Sequence, residues 1–366
     1  MKKSKRFSAR KSLLILMLLA AFLIMSTYAW FTSNKTVMIS AMDVNIHASQ
    51  GFQISTDAVN WKTVLQTTDI TNINNSIFPN PQNHVATEMD PYSTAATRET
   101  TDDEGDDGFT SVGYMNMFKG DVTTNANGDL VISATKATDD KNTLTGYTAF
   151  DLFFKTNNAI DLYVEPDAGV TDIGTGTSAG KGMENAARIA FAYQGLLAAA
   201  DISATDPTVG SQAQAMTVED ANGAQVTIWE PNSNAHTLNA IGDIFNIWGT
   251  AVSDNIGTAP QDYDGIYAEI PAGDSDLGIP DTFLKQNTEL ANPTYFKTFK
   301  DSVNFVSTLK TRTSPDALNI TLQPGITKFR IYMWLEGQDW DCYDSASGSD
   351  IQWNLILSAQ PHTVTP

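Results

Sequence analysis

The chain has 366 residues, with 22 Lys and Arg against 42 Asp and Glu, for a net charge of −20 at pH 7. A surface this acidic repels nucleic acid, whose binders carry basic faces, so no nucleic-acid partner is expected. Cys342 is the single cysteine, so no internal disulfide can form, and the fold must rest on a core that a chain of this length can supply.

Lys2, Lys3, Lys5, Arg6, Arg10 and Lys11 open the chain as a basic segment without an acidic residue, and residues 13–25 follow as an unbroken apolar run. Thr27 and Ala29 then occupy the −3 and −1 positions of a small-residue cleavage site, with Trp30 as the first residue beyond it. That order predicts a secretory signal peptide over residues 1–29, cut between Ala29 and Trp30. Residues 13–31 are also just long enough to span a bilayer, so a retained anchor is the other reading, with its basic flank on the cytoplasmic side. Either way the rest of the chain is expected outside, secreted or at the cell surface, touching a membrane only through an uncleaved leader.

Beyond the leader, residues 30–48 read as an N-terminal strand or arm, and residues 49–366 as a β-sandwich domain with insertions near 65–145 and 196–315. Met42, Val44 and Ile46 alternate with Asp43, Asn45 and His47, a half-buried strand. Val37, Ile39 and Ala41 hold the opposite phase, which predicts a bulge or change of face near Ala41. Phe150, Leu152 and Phe154 share one face of a second strand, and Ile160, Leu162 and Val164 share one face of a third. The Thr156-Asn157-Asn158 turn between them predicts a hairpin. Residues 183–200 are ambiguous: their alanines favour helix, while Ile189, Phe191 and Tyr193 alternate as a strand would.

The last third alternates most clearly. Leu318, Ile320 and Leu322 form a strand that stops at Pro324-Gly325. Phe329, Ile331, Met333 and Leu335 make one face of the next, with Lys328, Arg330, Tyr332 and Trp334 expected to face water. Ile351, Trp353, Leu355 and Leu357 make the final strand, with Gln352 and Asn354 outward. One wet and one dry face per strand predicts an all-β, mainly antiparallel sandwich with few short helices and long loop insertions.

Chemical motifs are scarce. His47, His84, His236 and His362 have no metal-ligand spacing, and the glycines before Lys181 are wrongly spaced for a phosphate loop. No catalytic residue is assigned, and an enzyme is not expected. Two acidic runs are candidate calcium sites: residues 102–107, and the loop holding Asp339, Asp341, Asp344 and Asp350. Asp-x-Asp spacing presents several oxygens to one cation, and Asp339, Asp341 and Asp344 are the better candidates.

The segment Ser26-Thr-Tyr-Ala-Trp-Phe-Thr32, directly after the apolar run, resembles the SipW-type signal peptides of the TasA/camelysin biofilm-matrix proteins. The block Tyr332-Met-Trp-Leu-Glu-Gly-Gln-Asp-Trp-Asp-Cys342 resembles a W-L-E-G-x-D-x-D-C signature of clostridial exported proteins with that kind of leader. Ala187-Arg-Ile-Ala-Phe191 and Thr227-Ile-Trp-Glu-Pro231 resemble further blocks of the same group. The resemblance covers both ends and two internal segments. It implies a jelly-roll-like sandwich that self-associates into extracellular fibres, with accessory matrix proteins as further partners. It also implies donor-strand exchange, in which the N-terminal segment of one subunit completes the sheet of the next. Here the donor is residues 30–39, anchored by Trp30, Phe31, Val37 and Ile39. An ordinary first strand of the chain's own domain is the alternative. Two other functions stay open: a monomeric surface adhesin or ligand-binding module, for which Trp340 and Tyr343 would be contact residues, and a camelysin-like secreted peptidase.

Overall fold

The computed structural model describes residues 37–46, 52–71, 83–86, 88–94, 115, 117–124, 130–136, 146–174, 182–203, 206–216, 226–232, 235, 271–272, 294–295, 304–337, 341–342 and 350–363. These residues form an all-β, sandwich-like fold with few and short helices. In chain order the strands are β1 (Val37–Ile46), β2 (Gln53–Ser55), β3 (Val64–Gln66), β4 (Glu88–Met89), β5 (Pro91–Thr94), β6 (Met117–Thr124), β7 (Leu130–Lys136), β8 (Thr148–Thr156) and β9 (Ile160–Val164). They continue with β10 (Gly169–Asp172), β11 (Ala187–Ala198), β12 (Val226–Glu230), β13 (Pro271–Ala272), β14 (Thr294–Tyr295), β15 (Asn304–Ser307), β16 (Asp316–Leu322), β17 (Gly325–Glu336) and β18 (Ile351–Pro361). Two helices, α1 (Thr67–Thr71) and α2 (Val209–Gln214), are single turns.

One sheet runs β16-β9-β18-β1-β3, with β10 also on β18 and β4 also on β1. The other runs β15-β12-β11-β17-β5-β6-β7, with β8 on β17 and β2 on β8. Their inner faces meet in one core. Phe150, Leu152 and Phe154 of β8, Phe191 of β11 and Phe329, Ile331 and Met333 of β17 face Leu162, Val164, Leu318, Trp353 and Leu355. Phe329 packs edge-on against Phe154 at 5.7 Å and Phe191 at 6.4 Å. Burying each such large side chain is worth roughly 1.5–3 kcal/mol, so this seam dominates the stability of the fold.

Residues 150–164 do not form the predicted hairpin. β8 pairs with β17 and β2, while β9 pairs with β16 and β18 in the opposite sheet. Thr156 turns the chain instead, its Oγ1 donating to the Asn158 carbonyl at 2.8 Å. The inward faces of β8 and β9 therefore meet across the core. A Thr-Asn-Asn turn reverses the chain equally well within a sheet or between sheets.

The second face of β17 departs further from expectation. All twelve of its residues are buried, including Lys328, Arg330, Tyr332 and Trp334. The cover comes from distant segments. Asn83 Oδ1 accepts from Arg330 at 2.8 Å, Tyr147 stacks obliquely on Tyr332 at 6.2 Å, and α2 brings the Gln214 carbonyl to Lys328 at 2.8 Å. Residues 183–200 resolve as a short 3-10 turn, Met183–Ala186, followed by the long strand β11. The pairing is mainly antiparallel, with parallel exceptions at β1–β18, β12–β15 and β17–β5.

Gly325 starts β17 with φ at 137°, a conformation L side chains rarely adopt. A Cβ there would run into the Leu197 carbonyl oxygen and the Ala199 nitrogen, backbone atoms that cannot swing away. Gly325→Ala is expected to cost at least about 1–3 kcal/mol, read as a lower urea midpoint with an unchanged slope.

Candidate functional site

β1 occupies an internal position in its sheet. It runs parallel to β18, with Ile39 opposite Ile351 and then Ala41 to Ile46 opposite Gln352 to Leu357. The register slips by one residue between Ile39 and Ala41, where the sequence changes phase. Asp43 to Asn45 pair antiparallel with β3, and Val37 and Met38 pair with β4. On its far side β18 is already filled by β10 and β9. Taking β1 away would therefore leave one edge of β18 unpaired from Ile351 to Leu357 and, among the described strands, would remove the one that β3 pairs with.

Of the predicted assembly residues, Val37 and Ile39 lie in β1. Trp30, Phe31 and the cleavage position at Ala29 lie outside the described residues, as do the leader, residues 102–107, Trp340 and Tyr343. Among the described residues no helix is long and apolar enough to cross a membrane.

Asp341 is the one predicted calcium ligand that is described; Asp339 and Asp344 lie outside. Its side chain is fully buried, with Asp341 Oδ2 3.4 Å from Asn185 Nδ2, which also donates to the Ala235 carbonyl at 2.7 Å. Asp350, on the same predicted loop, accepts the Ile173 N–H through its backbone carbonyl at 2.8 Å. Among the described residues no group of three or more His, Cys, Asp or Glu is placed to hold a metal ion.

Sequence reasoning missed a buried ionic layer on the outer face of the β11–β17 sheet. Arg188 of β11 meets Glu230 of β12 at 2.8 Å, and both are shut off from water. Arg188 Nη1 also donates to the carbonyls of Asn185 and Ala187, each at 2.9 Å, and the second Glu230 oxygen accepts from Ser307 at 2.8 Å. In register beside Arg188 stands Trp334, whose Nε1 donates to Glu336 at 3.0 Å. At the other end of β17, Asp151 takes Lys328 and Arg330, both at 3.2 Å. Buried charges persist only when paired and hydrogen-bonded, and these are. Arg188, Glu230, Trp334 and Glu336 come from the three blocks quoted above for their resemblance, which the fold brings side by side on β11, β12 and β17. Their arrangement holds strands in register.

No protein-family model, curated protein or solved structure matches this chain. The class defined by its own geometry is an all-β sandwich in which the first described strand runs parallel beside the last described one.

Proposed function

We propose that the chain is an extracellular structural subunit that polymerises into surface or biofilm-matrix fibres, each copy giving its N-terminal strand to the sheet of the next. The observation that carries this reading is the seat of β1 between β18 and β3. With a leader removed at Ala29, β1 would lie near the new N-terminus, and a strand so placed can be exchanged between copies. The same backbone ladder forms whether β1 comes from its own chain or from a neighbour. Donation in one direction is head-to-tail and propagates as a filament instead of closing. The leader features of residues 1–29 fit export, and the acidic composition keeps unassembled copies apart and soluble. Negative-stain microscopy of the chain starting at Trp30 is expected to reveal filaments that lengthen with concentration. A preparation that stays monomeric across the concentrations at which surface proteins accumulate removes the proposal.

A further inference from the structure

A cleft of about 310 Å³ opens at the side of the sandwich, between β16, the edge of one sheet, and β11 and β17 of the other. Small-molecule sites begin near this size. Its inner wall is aromatic. Phe191 and Phe329 are buried, Tyr193 is half-buried, and Tyr193 and Phe329 meet edge-to-face at 5.8 Å. Its rim is exposed and polar, formed by Asn319, Thr321 and Gln323.

The rim owes its shape to a bulge. The β16–β9 register jumps from Ala317 opposite Tyr163 to Ile320 opposite Leu162, so Leu318 and Asn319 have no counterpart on β9. Leu318 is fully buried, whereas Asn319 takes the left-handed conformation with φ at 56° and lies exposed at the cleft. Asn is among the few non-glycine residues that tolerate that backbone. Bulges of this kind re-aim a side chain and blunt a sheet edge.

The lining limits what can enter. None of the ten lining residues is Asp, Glu, Lys, Arg or His, and the rim hydroxyl of Thr321 donates to the Asp161 carboxylate at 2.6 Å, so an anionic ligand would meet a like charge and lose its water with no partner charge in return. Six of the ten carry an amide or hydroxyl, so a purely hydrocarbon ligand would strand those groups. Burial raises the Tyr193 phenol above its ordinary pKa, which keeps it a neutral donor. An aromatic wall beneath a rim of amides and hydroxyls suits a molecule with one apolar C–H face and a hydroxylated edge. We propose that this cleft binds a neutral sugar unit of a glycan, with Tyr193 under the C–H face and Asn319 and Gln323 on the hydroxyls. The site is separate from the β1 seat and does not depend on polymerisation.

Saturation-transfer NMR on the chain starting at Trp30, with cellohexaose, maltohexaose and chitohexaose as probes and hexagalacturonate as the charged control, tests this. At least one neutral hexasaccharide is expected to bind and the acidic one to bind far more weakly. Tyr193→Ala is expected to weaken binding about tenfold through loss of the ring face. Asn319→Gly keeps the left-handed backbone while removing the amide, and is expected to weaken binding about fivefold. Since Asn319→Gly preserves the bulge, it decides the matter if Tyr193→Ala fails to fold. Absence of binding by all three neutral probes, equal binding of the acidic one, or affinity unchanged by Asn319→Gly would overturn the proposal.

Discussion

Deletion of residues 30–46 is expected to yield a folded chain that cannot polymerise and that binds the peptide spanning residues 37–46 in trans. Among the described residues the core between the sheets draws chiefly on β8, β9, β11, β16, β17 and β18, a frame expected to stand without β1. What is lost is the pairing of β1 on both sides: β18 from Ile351 to Leu357 is left without its parallel neighbour, and β3 and β4 lose their pairing with β1. An unprotected edge of that length seeks a strand. A peptide carrying the Met42, Val44 and Ile46 alternation restores the ladder in the only register that keeps its faces right, since a slip by one residue would invert them. The same peptide added to the undeleted chain is expected to shorten filaments by capping growing ends. Light scattering and microscopy follow assembly, and fluorescence anisotropy of labelled peptide follows binding. If the deleted chain polymerises as readily as its parent, assembly runs through another surface. If it neither polymerises nor takes up the peptide, the β18 edge is not a receiving groove.

The largest effect on stability is expected at Arg188 and Glu230. Arg188→Met leaves the Glu230 carboxylate dry and short of its 2.8 Å partner, and breaking a buried pair from one side costs about 3–5 kcal/mol. Glu230→Gln is expected to cost less, because the amide still accepts from Arg188 through its oxygen. The double replacement Arg188→Met with Glu230→Met removes both charges and is expected to recover most of the loss, as apolar substitutes for buried ion pairs often do. Urea unfolding of the four chains gives the coupling directly. Single variants within about 1 kcal/mol of the parent would mean that water reaches the pair.

Where one strand face met a core built from nearby segments, the sequence was readable. β9 alternates buried and half-buried as its Ile-Asp-Leu-Tyr-Val pattern predicts, the first part of β18 does the same, and the phase change near Ala41 marks a true register slip. Alternation failed on β17, where the Lys328, Arg330, Tyr332 and Trp334 face looked wet and is dry. Pattern reports the polarity of a face and says nothing about what covers it. The cover here arrives from residue 83, from Tyr147 and from α2, and Asp151 neutralises the charges from a neighbouring strand. The hairpin expected from residues 150–164 failed because turn chemistry fixes a reversal and leaves the choice of sheet to long-range packing. The cleft was illegible for a similar reason. Its wall and rim come from β11, β12, β16 and β17, and no one segment carries a signal.

The parallel union of β1 with β18 also sets an order of events. Ile39 is synthesised long before its partner Ile351, so the β18 sheet cannot close until the intervening chain exists. Pairing across so long a stretch of chain is slow. Through that interval β1 lacks its β18 neighbour. On the proposed strand exchange, a β18 edge of another copy would compete for β1, and timing and local concentration would set which pairing wins.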